Sequence, residues 1–123
     1  MGGEENNKPF KVCTLCGCSW SSRDQFLADP DVVLDGYQAN FEILGKGLFI
    51  FSHRVSNCRT ALAIDVAYLA DLYIGPIFTE RKLGTPSCPG YCLHRHTLDV
   101  CENECECAFI RILLKIIREW PKG

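Results

Sequence analysis

Apolar and polar residues alternate from Tyr37 to Ile43 within VVLDGYQANFEI (32–43), which predicts a half-buried strand with a bulge at Gly36. LGKG (44–47) makes a turn, and LFIFSH (48–53) and RTALAIDV (59–66) supply two further strands joined by RVSN, so residues 34–66 read as an antiparallel meander. The GKG here is a turn, because the spacing and following helix of a phosphate-binding loop are both missing. Upstream, PFKV reads as a short strand, and SSRDQFLAD as a two-turn helix capped by Ser22, with Gln25 three residues on and a stop at Asp29-Pro30. Downstream, Asp65 is placed to cap a helix over VAYLADLYI that ends before Gly75-Pro76. The last element, ENECECAFIRILLKIIREW, has the strongest helical period. Phe109, Ile112 or Leu113, Ile116 and Trp120 fall on one side, Glu102, Glu104 and Glu106 stand in its first turns, and Lys115 and Arg118 lie near its end. The expected fold class is therefore α+β: a small three-stranded antiparallel sheet, two short helices and a long C-terminal helix.

A chain of 123 residues can bury a core without obligatory staples, and 47% hydrophobic against 23% charged residues is an ordinary globular balance. We expect a disordered tail over 1–7 and one cysteine-rich domain over 8–123, with ribbon-like sheet and helices over 8–83 and the second cysteine cluster and C-terminal helix over 84–123. The polar, acidic start MGGEENNKPF resembles no signal or transit peptide, and Asn6 stands where a myristoylation signal takes Ser or Thr. The apolar runs are broken by Asp65, Arg111 and Lys115 before they reach a bilayer-spanning length. The expectation is a cytoplasmic protein with no membrane association. A formal charge of -2 gives no general attraction to nucleic acid.

Nine cysteines change the picture. Their odd number excludes complete internal disulfide pairing, and in a reducing compartment clustered cysteines read first as metal ligands. Cys13-x2-Cys16-Gly17, in CTLCGC, places two thiolates at the spacing that meets a tetrahedral ion, with a glycine to reverse the backbone. In FSHRVSNC, His53 ends one expected strand and Cys58 approaches the next, so both can point to one place across a hairpin loop. Together they form a candidate Cys3His site of Cys13, Cys16, His53 and Cys58. Cys18 is the alternate ligand, or else a packed or reactive thiol. Over residues 10–66 the chain resembles zinc-ribbon and rubredoxin-like folds, in which two loops on a small antiparallel sheet clamp one metal. The resemblance implies a closed structural site, and the histidine in place of a fourth cysteine favours zinc over iron.

The second cluster, CPGYCLHRHTLDVCENECEC, holds Cys88, Cys92, Cys101, Cys105 and Cys107 with His94 and His96 between them. Cys101 and Cys105 are expected at the start of the last helix, facing Cys88 and Cys92. A second zinc, an iron–sulfur cluster and disulfides all remain open here, although the spacing matches no ferredoxin run. The paired Cys-x3-Cys segments also resemble the twin motifs of small mitochondrial intermembrane chaperones, with a shorter loop and unbalanced helices. His94 and His96 read as solvent-facing loop residues.

The function expected from these features is that of a small zinc-binding protein, with two structural ions and a surface that recognises another protein. The alternative is a redox or electron-transfer protein carrying iron or an iron–sulfur cluster at the second set of cysteines. No cleft or activated nucleophile is legible, so no catalytic residue is assigned. Candidate contact residues are Trp20, Tyr37 and Tyr91, expected to be exposed, and the basic end at Lys115, Arg118 and Lys122, which could also serve single-stranded nucleic acid.

Overall fold

The computed structural model describes residues 9–55, 58–82, 85–86, 88, 90–101 and 104–123. The tail expected over 1–7, the boundary at 83/84, Ser56 and Asn57 of the RVSN turn and Glu102 of the last helix lie outside the described residues.

Strands β3 (Val32–Gln38), β4 (Leu48–His53) and β5 (Thr60–Asp65) form an antiparallel meander with β4 in the centre. The expected bulge is present, as the β3–β4 register shifts between Leu34 and Gly36. Before the sheet stand a two-stranded hairpin, β1 (Lys11–Val12) with β2 (Ser19–Trp20), and helix α1 (Arg23–Ala28). Ser22 caps α1 by accepting from the Gln25 amide at 3.2 Å.

Alternation along β4 puts Phe49, Phe51 and His53 on one face, where they pair with Tyr37, Leu34 and Val32 on β3 and with Ile64, Leu62 and Thr60 on β5. Helix α1 covers this face through Phe26, whose ring meets Phe51 edge-on at 4.9 Å. Helix α2 (Ala108–Arg118) completes the same core with Ile110, Leu113, Leu114 and Ile117. The free edge of β3 is covered by the loop over 95–96. The Tyr37 amide donates to the Arg95 carbonyl at 2.8 Å, and His96 Nδ1 donates to the Asp35 carbonyl at 3.1 Å. Gly36 permits this approach, since a Cβ there would stand 2.9 Å from the Arg95 oxygen.

Three expectations are corrected. In place of a helix over 66–74 the chain makes two 3-10 turns, Val66–Tyr68 and Ala70–Leu72, and only two α-helices are present among the described residues. Asp65 makes no side-chain cap, so nothing at the N-terminus favours a full helix. The last helix begins at Ala108, after the cysteines, so Cys101 and Cys105 precede it and no acidic residue occupies its first turn. Glu106 instead pairs with Arg81. The stripe that α2 buries is Ile110, Leu113, Leu114 and Ile117, flanked by the half-buried Phe109, Ile116 and Trp120. No helix among the described residues is long and apolar enough to cross a membrane.

Because Phe51 lies at the centre of this face and is only 1% exposed, Phe51→Ala should destabilise the fold by about 3–5 kcal/mol in denaturant unfolding, the usual range for a buried phenylalanine.

Candidate metal centre

The first two candidate ligands come from the β1–β2 turn. The Cys13 amide donates to the Cys18 carbonyl at 2.7 Å and the Gly17 amide to the Cys13 carbonyl at 2.8 Å, closing the loop between the two short strands. Gly17 supplies the reversal at φ 80°, a left-handed conformation natural to glycine. The same turn aims the amides of Cys16 and Leu15 at the Cys13 sulfur.

The other two candidate ligands come from the β4–β5 connection. His53 continues the apolar face of β4 and is 2% exposed, which orients its ring inward beside Trp20, edge-on at 5.1 Å. The Trp20 indole is in turn fixed by donating to Asp29 Oδ2 at 2.9 Å. On the return strand the Arg59 amide donates to the His53 carbonyl at 3.0 Å, and Arg59 itself adopts φ 63°. That turn brings the Thr60 amide onto the Cys58 sulfur. Arg59 is the one non-glycine residue at positive φ among the described residues, a local strain adjoining the site.

The ligand atoms of Cys13, Cys16, His53 and Cys58 all lie within 4.8 Å of one another. Cys13 and Cys58 sulfurs are 3.4 Å apart, and Cys16 Sγ is 3.7 Å from His53 Nδ1. With metal–sulfur bonds near 2.3 Å, neighbouring sulfurs of a tetrahedral site stand about 3.8 Å apart. The four atoms thus surround a space of the right size for a metal ion. The Cys13 thiol is held down at about 6, first by the Cys16 amide and further by His53 and Cys58, whereas burial pushes Cys58 up to about 11. One sulfur of this pair is thereby favoured as a thiolate, the form that binds metal. Cys18 is exposed and outside the group, and partial desolvation with the nearby Cys16 sulfur raises its pKa, which lowers its reactivity as a nucleophile.

Cys88, Cys92, Cys101, Cys105 and Cys107 line a separate, small cavity. Their sulfurs do not converge as closely as the ligand atoms of Cys13, Cys16, His53 and Cys58, which all lie within 4.8 Å of one another. His94 and His96 are exposed, with His96 committed to β3. The expected exposure of Trp20, Tyr37 and Tyr91 is not found. Trp20 and Tyr37 are core residues, and the half-buried Tyr91 packs on the Arg111 guanidinium at 5.5 Å.

Several residues at these sites escape a motif reading. Arg59 matters through its backbone, to which its side-chain type gives no clue. Arg111 left a visible signal, a charged residue inside the apolar run FIRILL and three positions before the buried Leu114.

If the Arg59 turn positions Cys58, then Arg59→Gly should retain metal and change stability by less than about 1 kcal/mol, whereas Arg59→Val, whose branched side chain resists positive φ, should weaken metal binding in a chelator competition. Equal affinities for the two variants would show that the turn does not position the ligand. The chain matches no protein-family profile, and no curated protein or solved structure is significantly similar to it.

Proposed function

We propose that this chain is a zinc-binding protein whose metal is structural, and that its role is to present a surface to a protein partner. The observation that carries the metal reading is the convergence of three sulfurs and one imidazole nitrogen from two hairpin turns within 4.8 Å. Cys3His is a donor set suited to zinc, and four protein ligands leave no position for substrate or water. The amide-to-sulfur bonds at Cys13 and the glycine at 17 favour reading this turn as a zinc-ribbon-like knuckle, in keeping with the resemblance over residues 10–66. The metal ties the β1–β2 turn to the end of the central strand, so its binding free energy contributes to folding.

A protein partner is favoured by the segment that follows β5, where Tyr68, Ile74 and Ile77 are 64%, 95% and 59% exposed. Large apolar side chains exposed near one another in sequence suit protein recognition. Nucleic acid is less favoured, because several cations are already engaged. Lys122 Nζ donates to the carbonyls of Leu27, Asp29 and Val32, and Arg23 and Arg81 pair with Asp71 and Glu106.

Metal analysis and a visible spectrum of anaerobically purified protein test this reading. Zinc without colour is expected. His53→Ala and Cys58→Ala should each lose one ion and about 3 kcal/mol or more of stability, roughly 10 °C in Tm. Full zinc content in both variants would overturn the site, and iron with charge-transfer absorption that disappears in both would overturn the choice of metal.

A further inference from the structure

Two buried side-chain polar atoms among the described residues have no hydrogen-bond partner, Tyr37 Oη and Arg111 Nη1. Both can donate, and both belong to the surroundings of the five C-terminal cysteines. Arg111 lines their cavity and acts electrostatically on Cys92, while Tyr37 is within electrostatic reach of Cys107, Cys92 and Arg111. Arg111 is fully buried. Its Nε and Nη2 donate to the carbonyls of Asp99 and Thr97 at 2.9 and 2.5 Å, and its guanidinium lies against the Tyr91 ring. These contacts orient the cation without neutralising it, and no carboxylate among the described residues forms an ion pair with it. A buried charge with no counter-charge is strongly unfavourable. The groups facing it that can become anionic are cysteine sulfurs.

Backbone geometry points the same way. The Gly90 amide donates to Cys88 Sγ at 3.4 Å from a residue at φ 78°, repeating the bond from two residues ahead seen at Cys13 and Cys58. The Lys82 amide donates to Cys105 Sγ at 3.3 Å. Amides aimed at sulfur favour thiolate over thiol. The space among the sulfurs is about 20 Å³, enough for one water-sized guest. A single ion suits it.

We propose that Cys88, Cys105 and two of Cys92, Cys101 and Cys107 hold a second thiophilic divalent ion of the zinc class in an all-sulfur site, with Arg111 as its buried counter-cation and the Tyr37 hydroxyl as a donor to its sulfurs. Four thiolates around a divalent ion carry a net charge of -2, which the guanidinium halves. The ion draws the sulfurs inward from their places around the cavity. This site is independent of the Cys3His reading.

Cobalt(II) titration of the anaerobically purified full chain tests it. Two equivalents are expected, with two distinct spectra. His53→Ala should keep one equivalent, with the stronger sulfur-to-cobalt absorption of an all-cysteine site. Cys88→Ser and Cys105→Ser should keep the other. Arg111→Met should weaken the second site at least tenfold in chelator competition and leave the first unchanged. Uptake of one equivalent that is lost in His53→Ala and retained in Cys88→Ser overturns the second site. Iron with acid-labile sulfide at these cysteines overturns its mononuclear character, and unchanged affinity in Arg111→Met overturns the counter-cation. His53→Ala retaining both equivalents would instead refute the Cys3His site and leave this one standing. Where a variant fails to fold, the wild-type chain still decides: two equivalents with two distinct spectra support the second site, and a single equivalent with the weaker sulfur-to-cobalt absorption of a Cys3His site overturns it.

Discussion

The pairing of β4 with a neighbour on each side is the constraint on which the other features depend. Its register places His53 opposite Val32 on one side and Thr60 on the other, so the position of the imidazole is settled by sheet geometry before any metal arrives. The return strand must then pass Cys58 two residues before Thr60, and the Arg59 backbone absorbs the sharp reversal. The alternation that buries Phe49 and Phe51 also carries His53 into the core, where an unpaired imidazole would be costly and a ligating one is satisfied. Core formation and ligand placement are two outcomes of one strand register.

The two cysteine sites differ in how far the fold prepares them. At the first, ligands from two hairpin turns already converge, and backbone amides reach both Cys13 and Cys58. At the second, helix α2 starts only after the last cysteine, and the preceding segment wraps around the Arg111 side chain. Contact with Cys92, and then burial, push the Cys107 thiol up, and that same contact brings Cys92 down to about 7. Tyr37 is likewise pushed up by burial, so it stays a neutral donor.

Much of this could be read from the order of residues. The β3–β4–β5 meander followed from period-two alternation and its turns, the α1 cap from Ser22 and Gln25, and the Cys3His group from a short cysteine pair set against a hairpin. What escaped depends on tertiary contacts. The segment over 66–74 has a helical composition, but its turns are pinned by local 3-10 bonds, and no cap supports a longer helix. The face of α2 could not be chosen from period alone, because the apolar positions of FIRILLKII extend around much of the helix. Arg111 decides the matter, as its charge must face the cysteine cavity while Ile110, Leu113, Leu114 and Ile117 meet the sheet. Trp20 and Tyr37 looked like surface aromatics only because their partners, Asp29 and His53 for the one and Phe49 for the other, come from other elements.

The edge-on contact between Trp20 and His53 gives the protein an optical property of its own. The chain has two tryptophans, and Trp120 sits at the margin of the core, beyond the last turn of α2. Trp20 is buried with its ring against a candidate ligand. A paramagnetic ion held by that imidazole would quench the adjacent fluorophore while zinc would leave it bright, so indole emission would tell a paramagnetic ion at the first centre from zinc.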